Sequence, residues 1–211
     1  LLTHSAGLPP YIQLYADPKV KDVDDAIEVI AGSTRLAVPG ERRFYSDLGF
    51  ILLGKVASLA AKEPLDTYCA KHIFKPLGLR HTTFNPPARL AAQCAATEND
   101  PSRGGVLVGK VHDENCYALG GVTGHAGLFS TAEDLAAFCR AWMSGRLLPE
   151  SALEEILRTG RVPSYPWQGL GWKMDPWMDG AEGFLNSRRA AGHTGWTGTS
   201  IWMDRDSGYF A

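Results

Sequence analysis

The sequence predicts an α+β fold, with helices in its earlier part and antiparallel strands in its later part. Of its 211 residues, 45% are hydrophobic and 21% are charged, which suits a globular domain with a substantial core. Apolar residues first recur at helical spacing, and later tryptophans lie among glycines in short extended segments. We interpret residues 1–211 as one domain, with a mainly helical part over about 1–160 and strands over about 161–211.

Apolar stripes and the residues that end helices support the predicted helices. Residues 22–31 carry apolar side chains at helical spacing, and Gly32 follows them. Residues 47–61 form the strongest stripe, which Pro64 terminates. Further helices are predicted over residues 65–74, from Ser130 to about Met143, and over residues 149–157.

Residues 80–127 are predicted to form a long and partly irregular segment, because they contain many Pro, Gly, Asn and Asp residues. A segment of this length inside a compact domain usually carries function. Residues 169–174 and 200–203 are predicted to be strands, and residues 204–208 a hairpin turn that leads into a strand at Tyr209.

Charge and hydropathy exclude several classes of function. The chain has 21 Lys and Arg against 23 Asp and Glu, a formal net charge of −2, so it lacks the basic surplus that nucleic acid or an anionic membrane requires. No apolar run approaches the ~20 residues that span a bilayer. The 4 cysteines have no metal-ligand spacing. Free thiols are the expectation for them, and disulfide pairing is left open.

Both ends of the sequence are apolar. It begins Leu-Leu-Thr-His without a methionine and ends Gly-Tyr-Phe-Ala, and no signal peptide is visible. Apolar segments of this kind are normally buried or paired. We therefore expect the parent protein to continue on both sides.

Several well-known motifs do not explain the sequence. G-x-S-x-G, H-E-x-x-H and the phosphate-binding G-x-x-x-x-G-K-[ST] do not occur. The glycine-rich residues 120–127 follow no clear strand, so we predict a tight irregular loop rather than a phosphate cradle. Residues 112–115 read His-Asp-Glu-Asn. Adjacent ligands rarely converge on one metal, so a hydrogen-bonded loop is predicted there.

Tyr45-Ser46-Asp47 lies just before the strongest predicted helix. A tyrosine at a helix N-terminus lies in positive potential, which favours phenolate over phenol. Given a nearby cation as well, Tyr45 could act as a general base. The alternative is an aromatic side chain that only packs, with Ser46 or Asp47 as the helix cap.

Residues 193–199, His-Thr-Gly-Trp-Thr-Gly-Thr, are predicted to be a strand in which glycines alternate with small hydroxyl residues. Such a strand lets a ligand approach the backbone closely. His193 could offer a proton or a charge near pH 7. The alternative is a bulged strand with one partly exposed histidine.

These segments belong to a larger pattern that resembles the serine β-lactamase and penicillin-binding-protein superfamily, in particular its class C-like esterase and D-alanyl-D-alanine peptidase branch. The matching phrases follow one another in the order of that family. They are LLTHSAGLP at 1–9, PG…YSDLGFILLG at 39–54, PLGL…TTF at 76–84, GLFSTAEDL at 127–135 and HTG at 193–195.

The resemblance implies an acyl-enzyme mechanism, in which the serine of an S-x-x-K motif attacks a carbonyl and water or another acceptor releases the product. Tyr45 would exchange protons with the motif lysine. His193 would supply charge or a hydrogen bond near the substrate carboxylate or the Tyr45 oxygen. Thr194 and Gly195 would lie beside the cleft, and the Trp196 backbone N–H would be an oxyanion-hole donor.

The sequence departs from the family pattern at two points. Asp47 stands where the family has asparagine, and an ionised carboxylate cannot donate to a substrate amide. This departure favours an ester or amide other than a β-lactam or peptide, and the charge would oppose phenolate formation at Tyr45. S-x-x-K does not occur at all. We therefore expect the serine and lysine to lie upstream and these 211 residues alone to be inactive.

The sequence is accordingly interpreted as the central and later part of a serine hydrolase of the β-lactamase/penicillin-binding fold. That fold has an antiparallel sheet with flanking helices and a helical subdomain, here incomplete at both ends. The predicted substrate is a small molecule or a peptidoglycan-derived compound: an ester, a β-lactam or a D-amino-acid peptide. No metal or cofactor is implied, and the oligomeric state is left open. The resemblance also implies an extracytoplasmic or periplasmic location.

Two alternatives belong to other classes. The first is a ligand- or peptidoglycan-binding module of the same fold that has lost its nucleophile. The second is a metal-dependent hydrolase that uses His112, His125 and His193. Residues 111–115 and 124–127 also resemble a subgroup joined to family-3 glycoside hydrolases, which points towards cell-wall substrates.

Overall fold

A computed structural model describes residues 1–174, residue 187 and residues 189–211. The chain divides into two compact units. The helical unit comprises Leu8–Arg35 and Ser46–Thr131, and the sheet unit comprises Leu1–Gly7, Leu36–Tyr45 and Ala132–Ala211. Each unit has its own apolar core. The interpretation of residues 1–211 as a single domain stays a prediction.

The helical unit begins with two helices that its apolar stripes predict. Helix α1 spans Val23–Ala31, with the Asp22 side chain accepting from two backbone N–H groups of its first turn. Helix α2 spans Asp47–Ala61 and directly follows Ser46, whose hydroxyl donates to the Pro9 carbonyl at 2.6 Å. These helices bury one shared core, which contains Leu14, Ala26, Ile30, Leu48, Ile51 and Leu119.

The helix predicted over residues 65–74 is present but longer. It begins as α3 (Leu65–Cys69), passes through a π-helical turn at Ala70–Phe74 and continues as α4 (Lys75–Leu77). Gly78 then takes the left-handed conformation that ends many helices, with φ of 72°. Pro76 and Leu77 therefore continue the helix beyond the predicted residues, and it ends at Gly78.

Residues 80–127 are more ordered than predicted. The remaining elements of the helical unit are β1 (Thr83–Phe84), α5 (Ala88–Ala91), β2 (Ala96–Asp100), β3 (Gly105–Val108), α6 (Glu114–Ala118) and β4 (Leu128–Phe129). Strand β1 pairs with β4, and β2 pairs with β3 in an antiparallel hairpin. Asp100 stabilises the hairpin turn, because its carboxylate accepts from the Ser102 backbone N–H at 2.9 Å. The mainly helical part thus also contains short strands.

The sheet unit contains the helices α7 (Ala132–Met143) and α8 (Glu150–Leu157) and the antiparallel strands β5 (Ala190–Thr194) and β6 (Ser200–Asp204). Its core joins side chains of all four elements, among them Cys139, Trp142, Leu153, Leu157, Ala191 and Met203. The predicted strand at 200–203 and the turn after it are confirmed, since β6 is followed by a turn and a bridge from Met203 to Phe210.

Two strand predictions need correction. Residues 169–174 form no strand and contribute only isolated bridges, from Lys173 to Gln168 and to Gly192. The strand predicted over 193–199 ends at Thr194, because the Gly195 backbone N–H donates to the Thr199 carbonyl at 2.6 Å and closes the β5–β6 turn. The glycines in this run therefore serve a hairpin turn. The part of the predicted strand region at 175–186 and 188 lies outside the described residues.

Among the described residues, no helix is both long enough and apolar enough to cross a bilayer.

Candidate active site

The segment that carries Tyr45 is held in the sheet unit by the first residues of the chain. Backbone N–H groups of Leu36, Gly40 and Phe44 donate to the carbonyls of Gly7, Ser5 and His4 at 2.7, 2.7 and 2.9 Å. The first residues of the chain are therefore hydrogen-bonded to the segment at 36–44, although the two are far apart in sequence. This pairing fixes the backbone from which the Tyr45 side chain projects.

Tyr45 lies among three basic side chains, a group we call the Tyr45 cluster. Its ring centroid lies 4.4 Å from that of His4 and 5.9 Å from that of His193. The guanidinium carbon of Arg43 lies 5.7 Å from the centre of the same ring. Tyr45 is 44% exposed. The structure thus brings together the two residues predicted to be catalytic, Tyr45 and His193.

The hydrogen bond of His193 defines where its protons lie. Its Nδ1 is 2.8 Å from the Thr194 carbonyl oxygen, and a carbonyl only accepts, so Nδ1 carries a hydrogen. The remaining ring nitrogen, Nε2, is therefore the atom at which His193 gains or loses a proton. Strand β5 fixes the backbone, with His193 opposite Ile201.

Thr194 has a cationic neighbour that sequence reasoning missed. Lys173 exchanges two backbone hydrogen bonds with Gly192, each 2.9 Å long. Its Nζ lies 3.4 Å from the Thr194 hydroxyl oxygen. A second basic group therefore lies beside the His-Thr-Gly motif. Only the register between residue 173 and β5 reveals this, and no local pattern in the sequence encodes it.

Gly195 and Trp196 begin the β5–β6 turn. The Trp196 side chain is 93% exposed, so it contributes nothing to the core of the unit. The oxyanion role of its backbone N–H stays a prediction, as do the substrate-binding roles of Thr194 and Gly195.

Asp47 belongs to the helical unit, where it is the first residue of α2. Burial raises the pKa of its carboxyl, a nearby His125 lowers it, and the charge of Asp113 raises it, with a net upward shift. The side chain is therefore ionised less readily than an ordinary aspartate.

Asp113, His125 and Thr123 form a hydrogen-bonded network in the helical unit. His125 lies 2.9 Å from both the Asp113 carboxylate and the Thr123 hydroxyl. Although burial raises the pKa of Asp113, the hydrogen bond from His125 and its charge bring that pKa below its ordinary value. Asp113 also accepts from the Cys116 backbone N–H at 2.7 Å and caps α6.

The glycine-rich residues 120–127 form the tight loop that the sequence predicts. A Cβ at Gly124 would overlap the Phe50 carbonyl of α2, and one at Gly54 would lie 2.7 Å from the Gly124 nitrogen. Two facing glycines therefore let the loop lie directly on α2. This contact accounts for Gly124 through packing.

The three histidines of the metal-site alternative have other neighbours. His112 lies 3.0 Å from Glu98, His125 contacts Asp113, and His193 donates to the Thr194 carbonyl. Across residues 1–174, 187 and 189–211, no three His, Cys, Asp or Glu side chains form a group that could hold a metal ion.

Two of the four cysteines are poorly suited to replace serine as the nucleophile. Cys69, Cys94, Cys116 and Cys139 are free thiols. Burial raises the pKa of Cys116 and of Cys139 to about 11. Both are therefore protonated at neutral pH and poorly nucleophilic.

A family model described as "Beta-lactamase" matches residues 1–211. The chain therefore belongs to the Beta-lactamase family, a class of hydrolases, and the resemblance drawn from its motifs is confirmed.

Among individual relatives, the chain is 35% identical over 237 residues to a protein named "Putative D-alanyl-D-alanine carboxypeptidase" from Salmonella schwarzengrund (strain CVM19633). The match covers 97% of this chain and 53% of that protein. The chain thus spans about half the length of the curated relatives it matches.

Solved structures confirm the fold. The octameric penicillin-binding protein homologue from Pyrococcus abyssi matches with a TM-score of 0.72 and 22% identity, over 99% of this chain and 49% of that one. A penicillin-binding protein homologue from Caulobacter crescentus matches with a TM-score of 0.70 and 18% identity, over 99% of this chain and 62% of that one. The predicted α+β, β-lactamase/penicillin-binding fold is therefore confirmed.

Proposed function

We propose that this chain is the later part of a serine acyl-enzyme hydrolase whose nucleophilic serine and motif lysine precede Leu1 in the parent protein. The observation that carries the proposal is the placement of Tyr45 beside His193, with ring centroids 5.9 Å apart. The two residues are 148 positions apart in sequence (193 − 45 = 148), and both belong to phrases typical of the family. The absence of S-x-x-K from the chain and the greater length of its relatives agree with this proposal.

In the proposed reaction, Tyr45 accepts the proton of the attacking serine. The serine oxygen bonds to the substrate carbonyl carbon, the bond from that carbon to the leaving group breaks, and the leaving group takes up the proton. Water then attacks the ester and restores the serine. Only the phenolate of Tyr45 can accept this proton, and an ordinary tyrosine is almost entirely neutral phenol at neutral pH because its pKa is about 10. The basic neighbours of Tyr45 favour its ionised form.

The proposed substrate ends in a carboxylate, as a peptide with a terminal D-amino acid does. Lys173 Nζ lies 3.4 Å from the Thr194 hydroxyl, and His193 precedes Thr194 on the same strand. A basic side chain beside a hydroxyl suits the binding of an anion, because charge-assisted hydrogen bonds are stronger than neutral ones. The name of the Salmonella relative refers to a carboxypeptidase, which is consistent with this class of substrate.

Asp47 stands where the motif pattern that the sequence resembles has asparagine. We propose that its carboxyl, when protonated, donates a hydrogen bond to a substrate carbonyl, as an asparagine amide would. The upward shift of the Asp47 pKa supports this role, because it extends the range of pH over which the proton is retained.

The role of Tyr45 is tested by Tyr45→Phe in the parent protein. We expect acylation by a chromogenic ester or a D-alanyl peptide to slow at least about 100-fold, since general-base catalysis contributes ~10²–10⁴. Tyr15→Phe is the matched control, because Tyr15 is also exposed but lies in the helical unit. Near-normal acylation by Tyr45→Phe would remove this tyrosine from the mechanism. A parent protein that binds the peptide without turnover would instead support the binding-module alternative.

A further inference from the structure

Gln168 is a buried polar residue of the sheet unit whose hydrogen bonds define its orientation. It is 1% exposed. Its Nε2 donates to the Gly169 carbonyl at 3.1 Å and to the Trp172 carbonyl at 3.0 Å. Both amide hydrogens are thereby used, so the opposite atom, Oε1, is the acceptor of this side chain. Oε1 lies 2.7 Å from Nε of Arg43 and accepts its hydrogen.

Arg43 is held at several further points. Its backbone N–H donates to the Ser164 hydroxyl at 2.9 Å. Its guanidinium carbon lies 4.5 Å from the centre of the Tyr165 ring, within the range of a cation–π contact. Together with the hydrogen bond to Gln168, these contacts fix the guanidinium before any substrate binds. A charge fixed in this way acts without the cost of ordering a mobile side chain.

The fixed charge lies beside Tyr45, with Arg43 Cζ 5.7 Å from the centre of the Tyr45 ring. A cation at this distance stabilises phenolate more than phenol, because only the phenolate carries a net negative charge. Two other titratable rings, His4 and His193, face Tyr45 from the first residues of the chain and from β5. Both are charged only when protonated, whereas an arginine keeps its charge at every working pH.

We propose that Arg43, oriented by the buried Gln168, is a positioning residue that favours the phenolate form of Tyr45. The proposal rests on the proposed function, in which Tyr45 is the base. Arg43 therefore supplies, within this chain, the cation that a tyrosine base requires. A merely structural role for Arg43 would affect stability but not the titration of Tyr45.

The inference is tested by the titration of Tyr45 in the parent protein. The tyrosine ¹³Cζ signals are followed by NMR against pH, and Tyr45→Phe identifies the Tyr45 signal. We expect Arg43→Gln to raise the midpoint of the Tyr45 titration by about one pH unit, about a tenfold loss of phenolate at a given pH. Arg42→Gln, which removes the same charge from the neighbouring exposed residue, is the matched control and should leave the midpoint unchanged.

Two further variants separate charge from packing. Arg43→Lys retains the charge but lacks the planar fork, so it should keep the Tyr45 midpoint closer to the native value than Arg43→Gln does. Gln168→Leu removes the acceptor that orients Arg43 and should shift the midpoint in the same direction as Arg43→Gln, by a smaller amount. If Arg43→Gln unfolds the protein, the midpoints of the Tyr45 titration in Arg43→Lys and Gln168→Leu test the inference instead.

Activity gives an independent readout. The acid limb of the kcat/KM profile should move upward in pH together with the Tyr45 titration in Arg43→Gln. An unchanged Tyr45 midpoint in Arg43→Gln, or an equal shift in Arg42→Gln, would overturn the inference. Normal acylation by Tyr45→Phe would contradict the proposed function instead, and the NMR titration would still report whether Arg43 acts on Tyr45.

Discussion

Single protons decide much of the chemistry available to this chain. His193 must carry a hydrogen on Nδ1, because that atom lies 2.8 Å from a carbonyl oxygen. Gln168 must direct Oε1 at Arg43, because both of its amide hydrogens are donated to backbone carbonyls. These assignments follow from the chemistry of each hydrogen-bond partner.

Lys173 provides a test of substrate recognition at this scale. We expect Lys173→Gln in the parent protein to raise KM about tenfold for a peptide that ends in a free carboxylate. The same variant should hardly change the hydrolysis of an uncharged ester. Lys21→Gln is the control, since Lys21 is exposed and lies in the helical unit. Equal losses on the charged and the uncharged substrate would contradict the anion-binding role.

Asp47 provides a test of stability against pH. Its pKa is raised in the folded state, chiefly by burial, so the folded protein holds this proton more tightly than the unfolded chain does. The stabilisation due to this proton is complete below the ordinary pKa of an aspartate and is lost as the pH rises through the raised value. The Asp47→Asn variant has no carboxyl that ionises here, so it does not lose this stabilisation as the pH rises. Relative to the native protein, we expect the variant to gain stability between acid and neutral pH.

Urea unfolding of the parent protein between acid and neutral pH measures the free energy of unfolding of the native protein and of Asp47→Asn. Asp66→Asn is a suitable control, because Asp66 is exposed in the same unit. The quantity compared is the free energy of unfolding of Asp47→Asn minus that of the native protein. If this difference stays constant or decreases as the pH rises, the pKa of the Asp47 carboxyl is not raised in the folded state.

At the scale of elements, the β5–β6 hairpin depends on close approach of backbone and side chain at one position. A Cβ at Gly192 would overlap the ring of Trp202, its partner across the hairpin. We expect Gly192→Ala to lower the free energy of unfolding by about 1–3 kcal/mol, as overpacking does in cores. Because Lys173 pairs with Gly192, the variant should also weaken substrate binding.

Gly32→Ala is the comparison for this change. Its added Cβ would lie 3.5 Å from the Glu28 carbonyl, an ordinary contact, and its backbone φ is −78°. Chemical denaturation of both variants in the parent protein measures the difference. An equal loss of stability in the two would indicate that Gly192 is not set by its contact with Trp202.

The longer helices were predictable because their apolar periodicity is local, whereas the short α5 and α6 were not predicted. The bounds of α2 agree with the predicted residues 47–61, and α8 begins one residue after the predicted start. The β2–β3 hairpin was not predicted, because its turn residues dominate the composition around it and mask the short strands. The strand predicted over 193–199 was too long, because glycines that permit an extended strand also permit a turn.

The candidate site was predictable only in part. Tyr45 and His193 stand in family phrases, whereas Arg43, Gln168 and Lys173 act through contacts that no local pattern encodes. Arg43 meets Gln168 across a separation of 125 residues. Lys173 lies beside Thr194 only because it pairs with Gly192. Tertiary pairing of this kind cannot be read from periodicity or from motif spacing.

At the scale of the whole molecule, the chain has the β-lactamase/penicillin-binding fold and belongs to the Beta-lactamase family. It spans about half the length of its curated relatives, with 53% of the Salmonella protein covered. The proposed enzyme therefore has its proton acceptor and anion-binding groups within these residues and its nucleophile outside them. That division is the central claim of the proposed function.

The most direct measurement is to label the parent protein with a fluorescent penicillin or a fluorophosphonate and to locate the adduct by peptide mass spectrometry. We expect one adduct, on the serine of an S-x-x-K motif that precedes Leu1, and none within residues 1–211. The isolated 211-residue chain should stay unlabelled under the same conditions. An adduct within residues 1–211, or a parent protein that lacks S-x-x-K and is not labelled, would contradict the claim.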